Sequence, residues 1–249
     1  LEGAHHLMAY VKSSTSTPTQ LSIVPFTTEL YVYNAALASL TTNCSPTPIM
    51  LPSNWKSVAT TPSPDLNVLC GCAYDLITLV PKVSSLLRED SSQSSSETPF
   101  KEDYITQYYE LRAQIEGWEP NSTQHEWILC AELYQQSLLL LLDSHFAGGD
   151  SPNRIDEAFL NLESLLSHLP PSSPIATTAT WPIFAFGIHA RHPHQQELVR
   201  SYLHSLIKVF GMGVTSAALN QLEEVWMEVP SQDVVSRFFT NQNELFLIC

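Results

Sequence analysis

The chain has 249 residues, of which 44% are hydrophobic and only 14% charged, and 25 acidic against 11 basic side chains give a net charge of −14. A chain of this length buries roughly 70–75% of its unfolded surface, enough for one large core. The acid excess excludes a phosphate-gripping surface for nucleic acid or an anionic membrane, since both need clustered Lys and Arg.

Taken in chain order, Leu1, Ala4, Leu7, Met8 and Val11 recur at helical spacing, so residues 1–11 are expected to be helical up to the Ser/Thr stretch 13–19. The chain opens on Leu1 inside that pattern and is therefore expected to be a piece of a longer protein. Thr27 or Thr28 can cap a second helix that turns Leu30, Tyr33, Leu37 and Leu40 inward. Residues 41–68 carry Pro46, Pro48, Pro52, Pro62 and Pro64, a density that forbids helix and predicts a connector with Trp55 as an anchor.

Gly71 opens a third helix, with Leu76, Ile77, Val80, Val83 and Leu87 inward and a kink expected at Pro81. Residues 90–99 are Ser-rich and read as a linker. Tyr104, Ile105, Tyr108, Leu111 and Ile115 then define a helix that Gly117 ends. Ser122 or Thr123 is placed to cap the next, through Ile128, Ala131, Tyr134, Leu138, Leu141 and Leu142, with Gly148 and Gly149 after it. The run Leu138–Leu142 is far too short to cross a membrane and reads as a buried helix face.

Ser151-Pro152 starts a helix through Ile155, Phe159, Leu162, Leu165 and Leu166, and Pro170, Pro171 and Pro174 end it. Three more helices fit within Trp181–Trp226, joined by a His-rich break and by Gly211-Met-Gly213. Gly211 is expected at a left-handed C-cap, Gly213 at the entry to the next helix, and Trp226 in the core. Val234, Val235, Phe238 and Phe239 suggest a last short helix, and only the terminal ELFLIC alternates as a strand would. The fold class is all-α, an irregular multi-helix array of about ten helices with Pro- and Ser-rich connectors.

Several of these segments, in this order, resemble one family. The strongest is WPIFAFGIHARHPHQQELVRSYLHSLIKVFGMGVTSAALNQLEEVW; LEGAHHLM, ELYVYNAALASLT, LCGCAYDLITLVPKVSSLL and AELYQQSLLLLLDSHF join it. The chain resembles the fungal-specific regulatory domain of binuclear zinc-cluster transcription factors. The resemblance implies one domain over 1–249 and a structural signature of Gly71, Trp181, Gly187, Gly211, Gly213, Leu222 and Trp226. It also implies a nuclear, non-enzymatic regulator of transcription that acts by dimerisation, autoinhibition, ligand sensing or coactivator contact. The partners it points to are a second copy, transcriptional coregulators and a small-molecule effector. The six-cysteine zinc cluster is absent here, so zinc and DNA binding are expected upstream of Leu1. The rival is a helical small-molecule-binding protein or enzyme unrelated to transcription.

The residues that could carry chemistry have plainer explanations. Cys70 and Cys72 are one residue apart, which is not the spacing of a zinc knuckle. The five cysteines are odd in number and irregularly spaced, as reduced thiols of a cytosolic or nuclear protein would be. His189, His192 and His194 straddle a helix end without a neighbouring Cys or carboxylate, so no metal site is expected; near a helix C-terminus the dipole stabilises His189 when it is charged. Glu223 and Glu224 diverge by about 100° on a helix and read as a solvated face. No G-x-S-x-G elbow or phosphate loop is present. No catalytic or cofactor-binding residue is assigned. The charge balance generates a test: in fluorescence anisotropy at about 0.1 M salt the chain should leave duplex DNA free, and salt-sensitive binding at micromolar protein would contradict it.

Overall fold

A computed structural model describes residues 29–37, 71–92, 100–146 and 152–227. Among them lie eight α-helices and no strand, so the fold is the expected all-α array. They are α1 (residues 29–37), α2 (Tyr74–Ser92), α3 (Phe100–Glu116), α4 (His125–Phe146), α5 (Pro152–His168), α6 (Thr180–His189), α7 (Pro193–Phe210) and α8 (Gly213–Met227). Short 3-10 turns at Gly71–Ala73 and Pro174–Ala179 lead into α2 and α6. The helices expected at 1–11 and 234–239, the whole 41–68 connector, Cys70 and ELFLIC fall outside the described residues.

α4 is the axis of the array. Its 22 residues span about 33 Å, and it packs against α2, α3, α5, α6 and both 3-10 turns. Leu129, Cys130, Ala131, Leu133, Tyr134, Leu138, Leu140, Leu141 and Leu142 are all buried. A helix apolar on most of its circumference belongs in the middle of a core, and α4 is placed so, with Glu132, Gln135, Gln136, Leu139 and Asp143 left as a half-buried strip. α6 repeats the pattern in miniature, with every residue from Thr180 to His189 buried.

Elsewhere one face per helix is buried. Leu76, Ile77, Val80, Val83 and Leu87 of α2 point inward as their spacing predicts, and the helix runs through Pro81 without a break and on to Ser92, into the expected linker. In α3 the face is Tyr108, Leu111 and Ile115, while Ile105 is 43% exposed. In α1, Val32, Ala36 and Leu37 are buried and Leu30 is exposed. The inward assignment of Leu30 fails because seven of the nine residues of α1 are apolar, so periodicity cannot select a face there; in α3 polar residues mark the outer side, and Ile105 falls to one side of the buried stripe.

Polar side chains fasten the helix ends. Gln135 of α4 donates to the carbonyls of Ile115 (2.7 Å) and Trp118 (3.1 Å), satisfying the open C-terminus of α3. The Ser122 hydroxyl accepts from the Gln124 N–H at 3.1 Å, which puts the start of α4 beyond Ser122 at His125. Asp143 accepts from Tyr108 Oη (2.8 Å) and Arg112 Nε (2.9 Å), tying α3 to α4; burial and this carboxylate push the Tyr108 hydroxyl up to about 12.

His189 ends α6 but is neutral. It is buried, and burial pushes it down to about 4. Desolvation therefore outweighs the helix dipole, whose effect is about 2 kcal/mol at most. Its Nδ1–H donates to the Ala185 carbonyl at 2.7 Å, and the Ser144 hydroxyl, 2.9 Å from Nε2, completes the ring's bonding from α4. The folded-state pKa lies below the ordinary 6.5, so the unfolded chain binds the proton more tightly. Stability is expected to be intact above about pH 6.5 and to fall by up to about 3 kcal/mol as pH drops toward 4. Urea midpoints across that range should show the fall in the wild type and a smaller one in His189→Gln.

Candidate functional site

The last three helices form one block, with α6, α7 and α8 in mutual contact. Val199, Tyr202, Leu203 and Leu206 form the buried face of α7; Thr215, Ala218, Leu219 and Leu222 form that of α8. Thr180 and Thr215 share a buried hydroxyl contact of 2.9 Å, and Tyr202 Oη donates to the Leu169 carbonyl at 3.0 Å.

Three of the expected signature residues meet where α6 crosses α8. A Cβ on Gly187 would lie 2.5 Å from Leu222 Cδ1 and 2.8 Å from its Cδ2. Leu222 is fully buried, so the glycine is what lets the two helices approach. One turn on, Trp226 Nε1 donates to the Gly187 carbonyl at 2.9 Å. Trp226 is half-buried rather than in the core. Its ring takes the Arg200 guanidinium at 5.1 Å, and Arg200 also donates to Glu223 (2.5 and 3.0 Å) and Glu197 (2.7 Å). Glu223 is thus an α7–α8 ion-pair partner whose carboxyl Arg200 holds below its usual range, and only Glu224 is fully exposed.

The other signature residues act separately. Trp181 is buried at the start of α6 and stacks on Tyr134 of α4 with centroids 5.6 Å apart. Tyr134 Oη in turn donates to the Thr178 carbonyl at 2.7 Å. Gly211 ends α7 in the left-handed region, φ 63° and ψ 25°, with its N–H on the Ile207 carbonyl. Gly213 is the first residue of α8, and Gly71 lies in the 3-10 turn before α2.

The histidines do not converge. His189 is inside the core, whereas His192 and His194 are exposed and stack on each other, 5.6 Å between centroids and 6° between planes. Among the described residues no three His, Cys, Asp or Glu side chains are grouped as metal ligands would be. Cys72 is half-buried and its Sγ–H donates to the Trp127 carbonyl at 3.3 Å. Cys130 is buried 3.4 Å from the Thr178 hydroxyl, and burial pushes its thiol up to about 12, which makes it inert.

The histidine pair borders a feature that spacing alone did not reveal. A groove of about 390 Å³ runs between α5 and α7, lined by Asp156, Phe159, Leu160, Glu163, His192, His194, Gln195 and Leu198. Its wall includes Leu160, which is 67% exposed, and its floor includes buried Phe159. Gln195 is buried and fully engaged: Oε1 accepts from the N–H groups of Arg191 and His192, and Nε2 donates to Asp156 Oδ1 at 2.9 Å. That side chain fixes the entry to α7 and hence the position of the two rings. The sequence signal was available, since Leu160 is one residue off the Ile155–Phe159–Leu162–Leu166 stripe, but an isolated outward leucine is ordinary on a helix.

A family comparison matches the fungal specific transcription factor domain to residues 1–237. The chain belongs to that family, and its role lies in transcription regulation. No curated protein and no solved structure matches it.

The crossing yields a contrast between two glycines. Gly187→Ala should cost about 1–3 kcal/mol through overpacking, less the fraction of a kcal/mol that alanine gains in a helix. Leu222→Ala in the same chain should cancel part of that penalty in a double-mutant cycle. No atom lies within 4 Å of a Cβ on Gly211, so Gly211→Val should cost more than about 1 kcal/mol through φ alone. Leu222→Ala should give it no relief. Urea melts of the three single and two double variants measure both.

Proposed function

We propose that this domain is the non-enzymatic effector part of a nuclear transcription factor, and that it acts by binding a coregulator protein across the open face of α5 and α7. Leu160 is the observation that carries the proposal. It stands 67% exposed beside a groove floored by Phe159, an arrangement suited to receiving an apolar side chain from a partner. Small-molecule sites enclose most of their ligand and direct a few free polar groups at it. Here Asp156, Leu160, Glu163, His192 and His194 are all exposed, and the buried Gln195 has its polar atoms engaged within the fold. That favours coregulator contact over ligand sensing or catalysis. DNA binding and its zinc are assigned to another part of the factor, in keeping with the net charge of −14.

A reporter assay tests this with the chain fused to an unrelated DNA-binding domain. The wild type is expected to change transcription, up or down, and Leu160→Ser is expected to abolish most of that change at equal protein level. Since Leu160 is mostly exposed, the substitution should leave stability within about 0.5 kcal/mol. A reporter output unaltered by Leu160→Ser would overturn the assignment of the groove.

A further inference from the structure

The chemistry of the groove specifies the segment that fills it. We propose that the groove between α5 and α7 receives an amphipathic helix of a protein partner, one that places an apolar residue on Leu160 and arginine on the acidic, imidazole-lined rim. The inference rests on the groove being the effector surface.

Four observations lead to it. Leu160 is flanked on α5 by Asp156 one turn before and Glu163 one turn after, all three exposed. A partner helix that covers the leucine therefore meets a carboxylate on each side. Glu163 has no cationic partner among the described residues, and Asp156 offers Oδ2 after Oδ1 is taken by Gln195. The requirement is an apolar residue with cations about one turn away on either side, the spacing of an amphipathic helix.

The rim selects among cations. His192 and His194 present two nearly parallel rings, 6° apart in plane, at the mouth of the groove. A planar guanidinium can lie against such a face and still direct its N–H fork at a carboxylate; a lysine ammonium is a point charge and can only do the second. His192 Nε2 lies 3.9 Å from Asp156 Oδ1, so the ring face and a carboxylate are within reach of one arginine side chain. Gln195 bonds the backbone of Arg191 and His192 and so holds this part of the rim in place before any partner arrives.

Other occupants fit less well. A second copy would set Asp156 and Glu163 against surface of the same sign, on a chain with net charge −14. Nucleic acid and anionic lipid are repelled by the same carboxylates. The long-range field instead draws a basic segment in, and the exposed leucine gives it apolar area to bury.

The probe is a fluorescent, helix-stabilised synthetic peptide with leucines at i and i+4 flanked one turn away by arginines, together with copies in which lysine or glutamate replaces arginine. Anisotropy with the full 249-residue chain at about 0.15 M salt limits unspecific attraction. The arginine peptide should bind, the lysine peptide about threefold or more weakly, and the glutamate peptide not at all. Glu163→Gln should weaken binding about three- to fivefold and Leu160→Ser about tenfold, with a loss of the arginine-over-lysine preference in His194→Ala. Glu224→Gln makes the same charge change on α8 and should leave binding unchanged. Equal weakening by Glu163→Gln and Glu224→Gln, equal binding of all three peptides, or no binding would each overturn the arginine-segment proposal. If the reporter still responds to Leu160→Ser in those cases, the groove remains the effector surface with a different occupant. If the peptide binds as expected while the reporter ignores Leu160→Ser, the effector assignment falls and the arginine site stands.

Discussion

One helix of this domain has no side left for water, and the rest of the array is arranged to cover it. Every residue of α6 is buried, and α4 beside it leaves only a half-buried strip and its first turn toward solvent. A helix in that position needs neighbours all round and cannot leave a backbone or side-chain polar group unmatched. For α6 the neighbours are α4, α7, α8 and the preceding 3-10 turn. α8 can reach it only because Gly187 has no side chain at the point where Leu222 crosses. A methyl group there would push α8 outward and uncover α6.

Several polar groups carried inside are matched across the array, while the buried Gln221 Oε1 has no hydrogen-bond partner. Thr180 meets Thr215, His189 meets Ala185 and Ser144, Tyr134 meets Thr178, and Trp226 meets the Gly187 carbonyl. Each of these contacts but the His189–Ala185 bond joins different elements, so each fixes register as well as satisfying a donor. A buried hydrogen bond contributes only about 1 kcal/mol net, but leaving its partner unmatched costs about 1–3. These contacts therefore select one packing arrangement more than they add to stability. They also remove from chemistry the groups that looked most reactive in isolation: a neutral, buried His189 and a buried Cys130 with a raised pKa.

With the interior committed in this way, the proposed recognition falls to the surface. α5 and α7 are wedged apart enough to leave a groove, and its residues differ in kind from those of the core: an exposed leucine, two carboxylates and a stacked imidazole pair. The groove borders the α6–α7–α8 block, and its walls rest on α4 and α7, two of the helices that enclose α6. A regulatory domain needs that combination, because a rigid scaffold lets a few exposed residues present a constant surface to a partner.

The chain order of the helices, the all-α class and the family were legible in the amino-acid sequence, because helical periodicity, Pro and Gly breaks and the motif order are all local. Gly211 is the clearest instance: a Gly just beyond an amphipathic run dictated a left-handed C-cap, and φ is 63°. Burial faces were legible where polar residues marked the opposite side, as in α2, α3 and α7, and not in α1, where seven of nine residues are apolar. The sequence pattern could propose Gly187, Leu222 and Trp226 as a set, but their meeting at one crossing depends on helices 35 to 39 positions apart, as the Gly187–Trp226 and Thr180–Thr215 bonds show. The burial of Trp226 was misjudged, and the neutral state of His189 was not legible, for the same reason: desolvation is set by what other elements lay over a residue, and no local spacing contains that. The groove belongs to the tertiary structure alone, since only the angle between α5 and α7 decides that Leu160, Glu163 and the His192–His194 pair share a surface.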